Sequence, residues 1–170
     1  MRLILILLLC WAAPSFARQA SPDTGATAVQ SFIRDVSRTC SSQRAQHCID
    51  AGWKFAVPSP QQGLSLADLR NLRQRLGGWF SEYQNLLNPQ ERGSVLVGLL
   101  LADGIGIDRL HKAFDADRNG RVTQRELLAD VKLDNRPLGA VLGDAKAVNR
   151  KALAQRLGMT PGMIEGLFTP

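Results

Sequence analysis

Residues that carry chemistry are scarce in this chain. His47 and His111 are its two histidines. It has no H-E-x-x-H, no C-x-x-C, no G-x-S-x-G and no glycine-rich phosphate loop. Gly104-Ile105-Gly106 lacks the third glycine and the preceding strand that a nucleotide fingerprint needs. Glu82 and Glu91 are the carboxylates that could be imagined as a catalytic pair, and such residues on helices are ordinarily solvation. The expectation is therefore a protein that is not an enzyme. Segments that alternate apolar and polar residues are also missing, which argues against a large sheet. Beyond the first residues the longest apolar stretch is Val95 to Ala102, suited to a buried helix and too short to cross a membrane. Basic residues outnumber acidic ones, 21 to 15, but they are scattered rather than run together, as on a solvated surface.

The start of the chain is different. After Met1-Arg2 comes an unbroken apolar run, Leu3 to Ala13, then Pro14 and the small-residue frame Ser15-Phe16-Ala17. Eleven residues of helix reach only about 16 Å, against about 30 Å of bilayer core. The pattern is that of a secretory signal peptide, residues 1–17, cleaved after Ala17. Leu9 is too large for the small residue that a lipid attachment at Cys10 would require. The expected localisation is periplasmic or secreted, with no transmembrane anchor in the mature chain. Residues 18–170 then suit one helical domain. Two cysteines remain in it, Cys40 and Cys48, and an even pair in an oxidising compartment reads as a disulfide. Eight residues of continuous helix would separate them by about 12 Å, while a bridge needs Cα atoms about 4.4–6.8 Å apart. The chain must therefore fold back near Ser41-Ser42-Gln43.

The most informative stretch is Asp115 to Glu126, D-A-D-R-N-G-R-V-T-Q-R-E. Asp115, Asp117 and Asn119 place side-chain oxygens at positions 1, 3 and 5. Gly120 stands at position 6, where the chain turns sharply. Arg121 offers its backbone carbonyl at position 7, leaving its side chain free to vary. Thr123 at position 9 can ligate directly or through water. Glu126 at position 12 can supply two oxygens, and with Thr123 it forms a capping box for a following helix. Ile107, Leu110, Ala113 and Phe114 before the loop, and Leu127, Leu128 and Val131 after it, recur at helical spacing. The stretch resembles an EF-hand calcium loop, over about thirty residues. That resemblance implies a Ca2+ cofactor held by Asp115, Asp117, Asn119, Arg121, Thr123 and Glu126, between helices covering residues 105–114 and 123–132. Arg118, Arg121 and Arg125 inside the loop, with Arg109 and Lys112 before it, weaken the attraction for a cation. The expected dissociation constant is on the order of 10⁻⁴–10⁻³ M.

EF-hands usually pair, and residues 53–76 resemble a degenerate partner. Gly63, Leu64, Ser65 and Asp68 look like the second half of a loop, with Asp68 in place of the closing Glu. Val57, Ser59 and Gln61 stand where acids would be, and the glycine is one residue out of register. Such a loop would hold no calcium, and Asp68 has no metal role, yet Leu64 could pair with Val122. An ordinary proline-rich connection is the other reading of this segment.

The rest reads as helices. Residues 18–27 form a loose tail. Val29, Phe32, Ile33 and Val36 make the stripe of a first helix, and a second runs through Cys48, Ile49, Trp53 and Phe55. Ser65 caps a helix reaching Leu76, where Gly77-Gly78 ends it. Asn88-Pro89-x-Glu91 starts another that Gly104 breaks. Leu153 to Leu167 has the outline of a helix-turn-helix, but from Pro161 on it carries no base-reading side chain. No nucleic-acid partner is expected. Leu153, Leu157, Ile164 and Leu167 are core candidates instead. Overall the chain is expected to be all-α: one competent EF-hand, a degenerate partner, and additional N- and C-terminal helices. The expected function is an exported calcium-binding protein with a structural or interaction role and an unidentified protein partner. Alternatives are a calcium sensor that exposes a partner groove, and an uncharacterised periplasmic hydrolase.

Overall fold

The computed structural model describes residues 22–168 apart from Pro58 and Pro60. The proposed leader, residues 1–17, and the first residues of the expected tail lie outside that range. The described chain is mostly helical. Its elements are α1 (Pro22–Ser42), α2 (Ala45–Ala56), β1 (Leu64–Ser65), α3 (Leu66–Tyr83), a 3-10 turn (Gln84–Leu86), α4 (Pro89–Ile105), α5 (Ile107–Phe114), β2 (Arg121–Val122), α6 (Gln124–Leu127), α7 (Leu138–Leu142), α8 (Arg150–Leu157) and α9 (Pro161–Phe168).

Several expected boundaries move, each for a physical reason. Residues 22–27 are not a loose tail but the first turns of α1. Proline costs nothing at the first helical position, where its missing N–H would be unpaired anyway. Ala26 and Val29 then bury themselves against the core. Gly77-Gly78 does not end α3, which runs on to Tyr83. Each glycine costs about 1 kcal/mol relative to Ala in a helix. Trp79 is 1% exposed, and its Nε1 donates to Gln30 Oε1 at 2.7 Å. Burying such a ring stabilises by about 3 kcal/mol, which outweighs the two glycines. Likewise Gly104 stays helical. Gly106, at φ 88°, is the residue that turns the chain out of α4.

Two neighbouring cores hold the elements together. The first gathers Val29 of α1, Trp53 of α2, Leu72, Leu76 and Trp79 of α3, and Leu64 and Val122 from the strands. The second gathers Val36, Cys40, Cys48 and Ile49 with Leu138 and Val141 of α7 and Val148. Leu127 packs against both. The chain folds back between Cys40 and Cys48 as their spacing demands, at Gln43-Arg44. Their Cα atoms stand 4.7 Å apart, with the sulfurs at disulfide distance.

The two short strands pair antiparallel, with Leu64 opposite Val122 and Ser65 opposite Arg121. The contact expected between Leu64 and Val122 is therefore present, and it brings together two loops 58 residues apart in the chain. The C-terminal α8–α9 pair turns at Gly158, φ 65°, and buries Ile164 completely, with Leu153 and Leu157 half-buried. The side chain of Leu167 lies outside the described set. Among the described residues no helix is long and apolar enough to cross a membrane.

Candidate metal centre

Residues 115–126 bring the carboxylates of Asp115, Asp117 and Glu126 together, with one oxygen from each lying within 4.8 Å of the others. At that separation two like charges repel by ~1 kcal/mol even in bulk water. The loop's own N–H groups offset this. Asn119 N donates to Asp115 Oδ1 and to Asp117 Oδ1, both at 3.1 Å, and Gly120 N donates to Asp115 Oδ2 at 3.0 Å. Asn119 Nδ2 donates to Asp117 Oδ2 at 2.8 Å, while Asn119 Oδ1 accepts from Arg121 N at 2.8 Å. Gly120, at φ 80°, makes the sharp turn, and Arg118 takes the left-handed conformation at φ 60° just before it.

Glu126 closes the loop from the helix that follows. Its Oε1 accepts from Ala116 N at 2.8 Å and from Asp117 N at 3.3 Å, pinning the end of the loop to its beginning. Its Oε2 accepts from the N–H and the hydroxyl of Thr123, both at 2.7 Å. Thr123 accepts in turn from Glu126 N, completing the capping box. Burial pushes the Glu126 carboxyl up. The backbone and hydroxyl of Thr123 and the backbone N–H groups of Asp117 and Ala116 together outweigh it, holding the group below the usual carboxylate range. Glu126 is therefore ionised at neutral pH.

The helix after the loop is shorter than the sequence suggests. Instead of covering 123–132, α6 makes a single turn and ends at Leu127. Val131 bridges to Val148, Lys132 N donates to Ala147 O at 2.7 Å, and Asn149 N donates to Asp130 O at 2.8 Å. Val131 and Leu133 pack on the second core, and that attraction draws the chain out of helix.

Three contacts around the loop were not legible as site features. His111 is buried, and its Nε2 lies 3.3 Å from Leu64 O, so the protonated nitrogen donates across from α5 to β1. Arg121 is less free than its loop position implies, because Nη1 donates to Gly63 O at 3.3 Å. Arg156 of α8 reaches both flanks of the loop. Its guanidinium stands 5.4 Å from the Phe114 ring centroid, Nε pairs with Asp130 Oδ2 at 2.9 Å, and Nη1 donates to Glu126 O at 3.4 Å. Phe114 just before the loop and Asp130 just after it are an aromatic and an acid open to a cation, but nothing in the sequence places Arg156 beside them.

Asp68 contributes to a capping box with Ser65, accepting from Ser65 N at 3.0 Å and from its hydroxyl at 2.5 Å. It stands at the place that Glu126 holds in the other loop. The residues needed for a hard, oxygen-preferring cation are thus present once among the described residues, at 115–126. No protein-family model, no curated protein and no solved structure matches the chain.

Proposed function

We propose that this chain is an exported calcium-binding protein of the EF-hand type, in which residues 115–126 hold one Ca2+ and residues 57–68 form a partner loop that holds none. The observation that carries the reading is the convergence of Asp115, Asp117 and Glu126 on one point from positions 1, 3 and 12 of a glycine-turned loop. All three supply carboxylate oxygens, and calcium accepts six to eight oxygens at about 2.3–2.6 Å. Asn119, the Arg121 carbonyl and Thr123 would complete the set. Bound calcium would supply the positive charge that lets the three carboxylates share one site.

The role we favour is structural. Phe114, Val122 and Leu127, the apolar residues behind the loop, line an apolar cavity of about 120 Å³ together with Leu153, Leu157 and Ile164. The face that a sensor would open toward a partner is already covered by the chain's own C-terminal helices. Arg156 ties that cover to both sides of the loop. Sequence and site chemistry also agree on the compartment. A leader-like start and a cysteine pair at disulfide distance both suit an oxidising exterior. A weak site amid Arg118, Arg121 and Arg125 suits millimolar calcium.

Calorimetric titration of the chain from Arg18 onward tests this. One binding event per chain is expected, with a dissociation constant on the order of 10⁻⁴–10⁻³ M, and Asp117→Ala abolishes it. Undiminished heat in Asp117→Ala would reject the site. A large calcium-driven rise in the binding of an apolar dye would replace the structural role by the sensor role.

A further inference from the structure

We infer that an open groove between α4, α5 and the α8–α9 pair binds a free single-chain amphiphile with an anionic head, of the fatty-acid class. The groove encloses about 690 Å³. Small-molecule sites occupy roughly 300–1,000 Å³, mostly apolar with a few placed polar groups. Leu100, Ile105, Leu157, Met159 and Met163 supply the apolar lining, and Arg109 and Lys112 supply cations. Leu100 is 60% exposed and Met163 53%, both unusual for such side chains. Leu96 and Val97, also exposed, lie one helical turn before Leu100 and Leu101, so the apolar strip of α4 extends beyond the groove.

The charge is what selects the ligand. Arg109 and Lys112 are three residues apart on α5 and so share a face. The acids that could neutralise them are engaged elsewhere. Asp108 pairs with Arg70 and Asp103 with Arg73, both at 2.6 Å, and Glu165 pairs with Arg150. Among the described residues no acid pairs with Arg109 or Lys112. Arg156, the third cation of the lining, is held by Asp130. Two uncompensated cations on one wall of an apolar trough match one anionic head and one tail. A peptide helix would call for charges spread along the groove. None of these residues is a ligand in loop 115–126, so this inference stands or falls apart from the calcium reading.

The test is calorimetry in chelator with tail-matched probes below their micelle concentrations: dodecanoate, dodecyl maltoside and dodecyltrimethylammonium. Dodecanoate should saturate at one per chain and bind at least about tenfold more tightly than the cationic probe. Shortening the tail to decanoate and octanoate should weaken binding by about two- to fourfold per methylene. Arg109→Gln with Lys112→Gln should lose about tenfold for dodecanoate and leave dodecyl maltoside unchanged. Equal binding of all three heads overturns the inference, as does non-saturable uptake. So does binding to phosphatidylglycerol vesicles without binding of free dodecanoate. Should the double variant fail to fold, the three-head comparison on the unaltered chain still decides.

Discussion

Loops 57–68 and 115–126 share their second halves and differ in their first. In each, a two-residue strand leads into a capping box, Ser65 with Asp68 and Thr123 with Glu126, and the two strands pair with each other. Each has one glycine at positive φ shortly before its strand, Gly63 at 74° and Gly120 at 80°. Counting back from the caps, Gly63 falls at position 7 of its loop and Gly120 at position 6. Asp115, Asp117 and Asn119, at positions 1, 3 and 5 of one loop, are matched by Val57, Ser59 and Gln61 in the other, and Val57 is buried in the first core. The backbone device that joins two loops is thus separable from the cluster of acids found in one. Pairing needs the strand, the cap and a close approach at glycine; the proposed calcium binding would need the acids as well.

Four variants probe that separation, in falling order of effect. Glu126→Gln keeps the reach-back bond of a capping box, since Gln serves there too, but removes a charged, two-oxygen ligand. Calorimetry should show calcium affinity falling by at least ~100-fold, and denaturation in chelator a loss of about 1–2 kcal/mol, because the amide NH2 cannot accept from Ala116 N and Asp117 N as the carboxylate does. Gly63→Ala attacks the pairing instead. A Cβ there would stand 2.8 Å from Val122 O, on a residue at φ 74°. Chemical denaturation should report a loss of about 2 kcal/mol, and the damage should weaken calcium binding through the shared strands. Asp68→Ala removes only the reach-back half of the α3 capping box and leaves the Ser65 cap in place. Denaturation should register about 1 kcal/mol, and an unchanged calcium affinity would confirm that this carboxylate is no ligand. Adding acids to the exposed pair, Ser59→Asp with Gln61→Asp, should have the least effect of all. Titration should still count a single calcium, because the glycine remains displaced and Val57 still occupies the first ligand position. A second event would mean that the loops differ only in their acids.

How much of this could be seen in the chain of letters follows from the range of the forces involved. Local rules were legible. Ser65 and Asn88 cap helices where their neighbours suggested, and the spacing of Cys40 and Cys48 demanded the break found at Gln43-Arg44. The ligand spacing of 115–126 is likewise local, and it delivers the three carboxylates to one point. What misled was local preference overridden from a distance. Gly77-Gly78 reads as a stop, yet Trp79 draws its reward from Gln30 and the core. The tail before Val29 reads as loose, yet Ala26 packs away from water. The helix after Glu126 reads as long, yet the Val131–Val148 bridge ends it. The bond from His111 to Leu64 O, 47 positions away, could not be read without the fold.

The central claim is that one divalent ion stabilises the chain through Asp115, Asp117 and Glu126. Thermal melting of the chain from Arg18 onward, in excess chelator and then in 10 mM calcium, addresses it most directly. With a dissociation constant on the order of 10⁻⁴–10⁻³ M, mass action adds about 1.4–2.7 kcal/mol, or a rise of about 3–10 °C for a domain of this size. The account predicts that rise in the unaltered chain and none in Asp115→Ala. Coincident melting curves with and without calcium in the unaltered chain would contradict it.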